Sequence, residues 1–112
     1  MTTVVEIDTT RSFEGYFHED VGVSFLVVNL PPGGGPALHR HAYAEIFFVQ
    51  EGRARFTAGS ETLEVTGGHV VVVPAGTPHT FVNDGSDELR MVNIHESGKI
   101  VTEWLDERLI PS

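Results

Sequence analysis

The chain has 112 residues, 40% of them apolar, which suffices for one ordinary domain with a hydrophobic core. Sixteen Asp and Glu against seven Lys and Arg give a formal charge of -9, with no basic cluster, so nucleic acid is excluded as an expected partner. Cysteine is absent, so disulfides and thiolate ligands are impossible, and any metal must be held by nitrogen and oxygen.

In chain order, no basic region precedes an apolar run at the N-terminus, and no apolar stretch approaches the roughly eighteen residues that span a bilayer. The expectation is a cytoplasmic protein without a membrane partner. Short runs rich in Val, Ile, Phe and Thr predict strands at 4–7, 23–30, 45–50, 53–58, 62–65, 69–73, 79–83 and 89–95. Pro- and Gly-rich turns separate them, among them 31–36, Glu51-Gly52, Gly67-Gly68 and Pro74-Ala75-Gly76. This pattern predicts a single all-β domain over 1–112, an antiparallel sandwich or barrel. At the tail, Ile100, Val101, Trp104, Leu105 and Leu109 share one face of a short helix over 99–109, and a strand over 100–105 competes with it.

If Glu51-Gly52 is a two-residue turn, Val49 pairs with Ala54, Phe47 with Phe56 and Glu45 with Ala58. Alternation then places all six on one face, apolar except for Glu45. A carboxylate buried alone is costly, so Glu45 needs a partner. Ile46, Phe48, Arg53 and Arg55 share the opposite face, and covering Ile46 and Phe48 predicts a homodimer.

His39-Arg40-His41 puts two imidazoles on one side of an extended segment. Glu45 follows at an even step, and His79 opens a later strand that an antiparallel fold can bring beside the pair. Imidazoles with one carboxylate suit one divalent transition metal: Fe, Mn, Co, Ni, Cu or Zn.

These residues resemble the cupin family. Its first motif reads here as Gly33, His39, His41, Glu45 and Gly52, and its second as Gly68, Pro74, Gly76, His79 and Asn83, with every interval met. Fifteen residues separate the motifs, similar to the compact form of the family. His69 departs from the Asp common at its position. The resemblance implies a jelly-roll β-barrel and a metal held by His39, His41, Glu45 and His79. It also implies a small-molecule substrate and a common tendency to dimerise. His18, His69 and His95 lie outside the motifs and read as surface or structural residues, with His95 at a pocket mouth. Asn83 reads as a hydrogen bonder at a strand end.

The expected activity is oxygenation or isomerisation of a small oxygenated organic molecule, with Glu45 as ligand or candidate acid/base. The alternative is a binding module that holds metal or ligand without turnover. Metal-free sugar epimerisation on the same fold is disfavoured by the complete four-residue set.

Overall fold

The computed structural model describes residues 2–106. Ten strands appear in chain order: β1 (Phe13–Glu14), β2 (Ser24–Leu30), β3 (His39–Arg40), β4 (Glu45–Glu51), β5 (Arg53–Ala58), β6 (Glu61–Thr66), β7 (His69–Val73), β8 (His79–Asn83), β9 (Leu89–His95) and β10 (Glu103–Trp104). They form two antiparallel sheets, in the orders β1-β2-β9-β4-β7 and β10-β3-β8-β5-β6. The architecture is the expected all-β jelly roll. Among the described residues no helix is long and apolar enough to cross a membrane.

Alternation along each strand fills the space between the sheets. Phe47, Val49, Leu89 and Met91 of the first sheet face Ala54, Phe56 and Phe81 of the second, all buried. The rings of Phe47, Phe56 and Phe81 lie 5.0, 5.3 and 5.6 Å apart, in tilted and edge-to-face contacts.

The hairpin expectation was right about the inward face and wrong about the pairing and the shared outer face. β4 pairs with β7 and β9, whereas β5 pairs with β6 and β8. The chain switches sheets at Gly52, so Phe47 meets Phe56 across the core and not beside it. Gly52 has φ +96, and a Cβ there would lie 2.7 Å from the Glu88 carbonyl oxygen, which makes glycine necessary at this corner. The same switch carries Arg53 and Arg55 away from Ile46 and Phe48. Both arginines sit on the second sheet, close to Glu64 and Asp84.

Residues 4–7 form no strand, and Val4 is 95% exposed. Their β propensity finds no neighbouring edge to bond. The expected tail helix is also absent over 99–106, and 107–109 lie outside the described residues. Within 100–105 the strand alternative holds at Glu103–Trp104, which pairs with β3. The Leu105 N–H donates to the Leu38 carbonyl, and Arg40 makes a bidentate pair with Glu103 at 2.8 and 3.0 Å. A short helix is marginal without a buried stripe, and these non-local bonds outcompete it. Trp104 remains 64% exposed. Asn83 behaves as expected, donating to the carbonyls of Leu30 and Asp87 and accepting from the Gly85 N–H.

Candidate metal centre

One end of the space between the sheets is polar. His39, His41, Glu45 and His79 are all buried there, and one potential ligand atom from each lies within 4.8 Å of the others. Three strands and the segment after β3 deliver them. His39 on β3 sits directly opposite His79 on β8, and Glu45 opens β4. His41 follows β3 and is held through its carbonyl, which accepts from the Gly76 N–H at 2.7 Å. Gly76 has φ +78 in the turn that the Thr77 N–H closes onto the Pro74 carbonyl. The second motif's Pro-x-Gly thus ties the segment before His79 to His41. The motif spacing encodes this junction.

The hydrogen bonds set the tautomers. Nδ1 of His39, His41 and His79 lies 2.8, 2.7 and 2.9 Å from the carbonyl oxygens of Ala37, Val101 and Thr77. A carbonyl only accepts, so each Nδ1 carries the proton and each neutral ring presents a bare Nε2. Yet His41 Nε2 and His79 Nε2 lie 3.0 and 3.2 Å from Glu45 Oε1, which also only accepts. Lone pairs meet lone pairs unless the rings take second protons or a cation lies between them. The His41 contact is not aligned as a hydrogen bond. Three nitrogens and one carboxylate oxygen arranged in this way could hold a transition-metal ion, and the donor set fits borderline divalent ions.

The electrostatics favour an ionised carboxylate facing positive charge. Burial pushes the Glu45 carboxyl up, but contacts with His41, His79 and His95 outweigh it and hold it well below the usual range. Burial also dominates at His39 and lowers it, more than the Ala37 carbonyl restores. At His41 burial opposes protonation, but Glu45 and the Val101 carbonyl together raise its pKa.

A fourth imidazole belongs to this cluster, which corrects the surface reading of His95. It is buried, with Nε2 3.2 Å from Glu45 Oε2 and Nδ1 2.7 Å from the Tyr43 hydroxyl. That hydroxyl accepts from the Val101 N–H at 3.1 Å, and its single proton serves His95 Nδ1 better than the Val101 carbonyl at 3.4 Å. His95 then carries its proton on Nε2, the opposite tautomer from the other three, facing the second Glu45 oxygen. The signal for His95 was present in the sequence: it lies three even steps from Leu89 on one strand face, through Met91 and Asn93. Tyr43 carried no such signal. His18 and His69 lie elsewhere, with His18 stacked on Phe13 and His69 bonding to the Thr66 carbonyl.

Beside the cluster lies a cavity of about 500 Å³. His39, His41, Glu45 and His95 form its polar end, and Leu26, Val28, Leu30, Phe81, Ile100 and Trp104 form much of its wall.

Comparisons with known proteins agree with this geometry. An uncharacterised protein of Streptomyces coelicolor is 48% identical over 46% of this chain and 49% of its own length. One of Methanocaldococcus jannaschii is 34% identical over 67% of this chain and 61% of its own. The chain therefore spans between about half and three-fifths of these relatives. Among solved structures, an oxalate oxidase in complex with the substrate analogue glycolate superposes with a TM-score of 0.70 at 26% identity, covering 77% of this chain and 47% of that one. The Bacillus subtilis oxalate decarboxylase, studied for its Mn(II) centres, superposes at 0.74 and 24% identity, covering 80% of this chain and 25% of that one, a likeness of fold alone. The profile of the cupin domain matches residues 26–95. With both motifs, the two-sheet jelly roll and that profile in agreement, the chain belongs to the cupin family.

Proposed function

We propose that this chain binds one divalent transition-metal ion through His39, His41, Glu45 and His79 and acts on a small oxygenated organic molecule in the adjoining cavity. One observation carries the reading: three imidazoles have bonded Nδ1 groups, two of them, His41 and His79, aim bare Nε2 atoms at one carboxylate, and His39 lies within 4.8 Å of the same group at the inner end of a cavity. When bound, the ion supplies Lewis-acid polarisation of a carbonyl or enolate, or chemistry with dioxygen. The protein does the rest. Carbonyl partners fix each ring, and the apolar wall offers a ligand body little to hydrogen-bond. Glu45 either remains a ligand or swings free as a base, with His95 Nε2 3.2 Å from its second oxygen and the Tyr43 hydroxyl bonded to the far side of that ring. The similar oxalate oxidase, seen with glycolate, supports chemistry on a small oxygenated organic molecule as a class without naming the substrate here. Elemental analysis of protein purified without added metal is expected to find one transition-metal ion per chain. Finding none, with no calorimetric uptake of Mn, Fe, Co, Ni, Cu or Zn, overturns the reading.

A homodimer through the outer face of the first sheet is part of the same proposal. Ile46 pairs laterally with Val72 and Ile94, and Phe48 with Val70 and Val92, so two apolar rows cross three strands. Ile46, Phe48, Val70 and Val72 are 37, 40, 55 and 63% exposed. A two-fold interface would cover both copies at once. Sedimentation is expected to show a dimer, and Phe48→Asp a metal-binding monomer. Sedimentation of the unchanged protein as a monomer at micromolar concentration contradicts the interface.

A further inference from the structure

The cavity wall carries information beyond the metal reading on which this inference rests. Among its described lining residues there is no lysine or arginine. The inner end already holds the buried Glu45 carboxylate. A divalent ion, that carboxylate and three neutral imidazoles sum to one net positive charge. A neutral or monoanionic ligand is compatible with that charge, whereas a dianion leaves an unpaired negative charge in a low-dielectric site. Size points the same way. Cavities of about 300–1,000 Å³ typically hold drug-sized ligands, and a molecule of oxalate's size, comparable to a few waters of about 30 Å³ each, would leave most of this one unfilled.

The wall also contains one unspent polar group. Asn93 on β9 is 5% exposed and lines the cavity, and its Oδ1 has no hydrogen-bond partner. It lies beside Leu26 in the β2–β9 register and two residues before His95, between the apolar wall and the candidate centre. A buried amide oxygen without a partner forfeits a hydrogen bond, and a ligand hydroxyl or N–H would restore it.

We propose that the cavity selects a neutral or monoanionic ligand with a largely apolar body, oxygen donors that reach the metal, and a hydroxyl or N–H that donates to Asn93, and that it discriminates against small dicarboxylates. Asn93 is then a specificity-determining residue and no ligand of the metal. The test uses the full chain loaded with redox-inert zinc, its stoichiometry measured first. Three oxygen chelators are titrated by calorimetry. Benzohydroxamate is a monoanion with a phenyl body and an N–H, acetohydroxamate lacks the apolar body, and oxalate is the dianion. Benzohydroxamate is expected to bind at least about tenfold more tightly than either of the others. Asn93→Ala is expected to weaken benzohydroxamate at least about fivefold with zinc stoichiometry unchanged, and Val28→Asp to weaken it further. Oxalate binding as tightly as benzohydroxamate overturns the charge and size argument, and an unchanged affinity in Asn93→Ala overturns the role of that residue. A chain that takes up no zinc overturns the metal reading instead. In that event, binding of benzohydroxamate to the metal-free chain that Val28→Asp abolishes still supports the cavity's apolar preference, and no binding overturns it.

Discussion

The two ends of the space between the sheets are built by the same strands and the same alternation, yet they cost different amounts to bury. Along β4 the inward residues run Glu45, Phe47, Val49, and along β9 they run Leu89, Met91, Asn93, His95. At one end burial removes apolar surface from water and stabilises the fold by about 25 cal/mol per Å². At the other it buries four imidazoles, a carboxylate and an amide whose mutual contacts are only partly hydrogen-bonded. The apolar end holds the barrel together, and the polar end draws on that stability to keep a strained cluster preorganised.

The largest expected effect breaks the apolar end. Phe56→Ala removes a fully buried ring that contacts Phe47 and Phe81, and should cost about 3–5 kcal/mol by denaturant unfolding. The loss should be the same with metal or with chelator, because the ring packs on Phe47 and Phe81 in the apolar core. A loss seen only in the metal-bound protein would show that the two ends are not separable.

Metal removal comes next and acts on the polar end alone. With free metal at 100 to 1,000 times its dissociation constant, chelation should lower stability by about 2.7–4.1 kcal/mol. Glu45→Gln should abolish that difference. Stripped of metal, Glu45→Gln should melt lower than the unchanged protein, since the contacts with His41, His79 and His95 that hold the carboxyl low contribute stability at neutral pH that an amide lacks. An unchanged or higher melting temperature for the stripped variant would show that the carboxylate strains the metal-free fold.

Acidification sharpens the same contrast. His39 has a lowered pKa, so its contribution to stability is present above the usual 6.5 and lost as pH falls through its folded value. His41 has a raised pKa, so its contribution is present below 6.5 and lost as pH rises through its folded value. The two act on opposite sides of pH 6.5, so between them the metal-free protein should be most stable near that pH. Metal uptake must instead expel the His41 proton, so affinity should rise with pH by up to about tenfold per unit for each proton released. Calorimetry in buffers of different ionisation enthalpy measures that release, and zero proton release at pH 6.5 would refute it.

The smallest effect concerns the support of Glu45. Tyr43→Phe deletes the hydroxyl at His95 Nδ1 and frees His95 to change tautomer. Metal affinity should fall about tenfold, the lower end for a residue that orients a ligand from outside, with folding unaffected. An unchanged affinity would reduce Tyr43 to a wall residue.

Local chemistry made much of this legible before any fold was known. Period-2 alternation identified the inward residues of β4 and β5, and paired motifs with fixed intervals singled out His39, His41, Glu45 and His79. His95 was missed although the same parity applied to it, because it stands outside both motifs. The tail was misread because the 3.6-residue spacing of Ile100, Val101, Trp104 and Leu105 is equally compatible with a strand whose side chains stay exposed. Its conformation is decided by partners far away in sequence, the Leu38 carbonyl and the Arg40 guanidinium.

What the sequence determined by itself was the period and the parity: where most of the strands lie, which side of β4 and β5 faces inward, and which four groups carry ligand chemistry. The physical reason is that side-chain direction in a strand depends only on the residue's own backbone and its neighbours. Only the tertiary structure decided that β4 and β5 lie in opposite sheets, that His95 and Tyr43 close around Glu45, and that Asn93 is left without a partner at the cavity wall. Those outcomes depend on which strand edges meet across long stretches of chain, and hydrogen bonds between distant edges leave no periodic mark in the residues that make them.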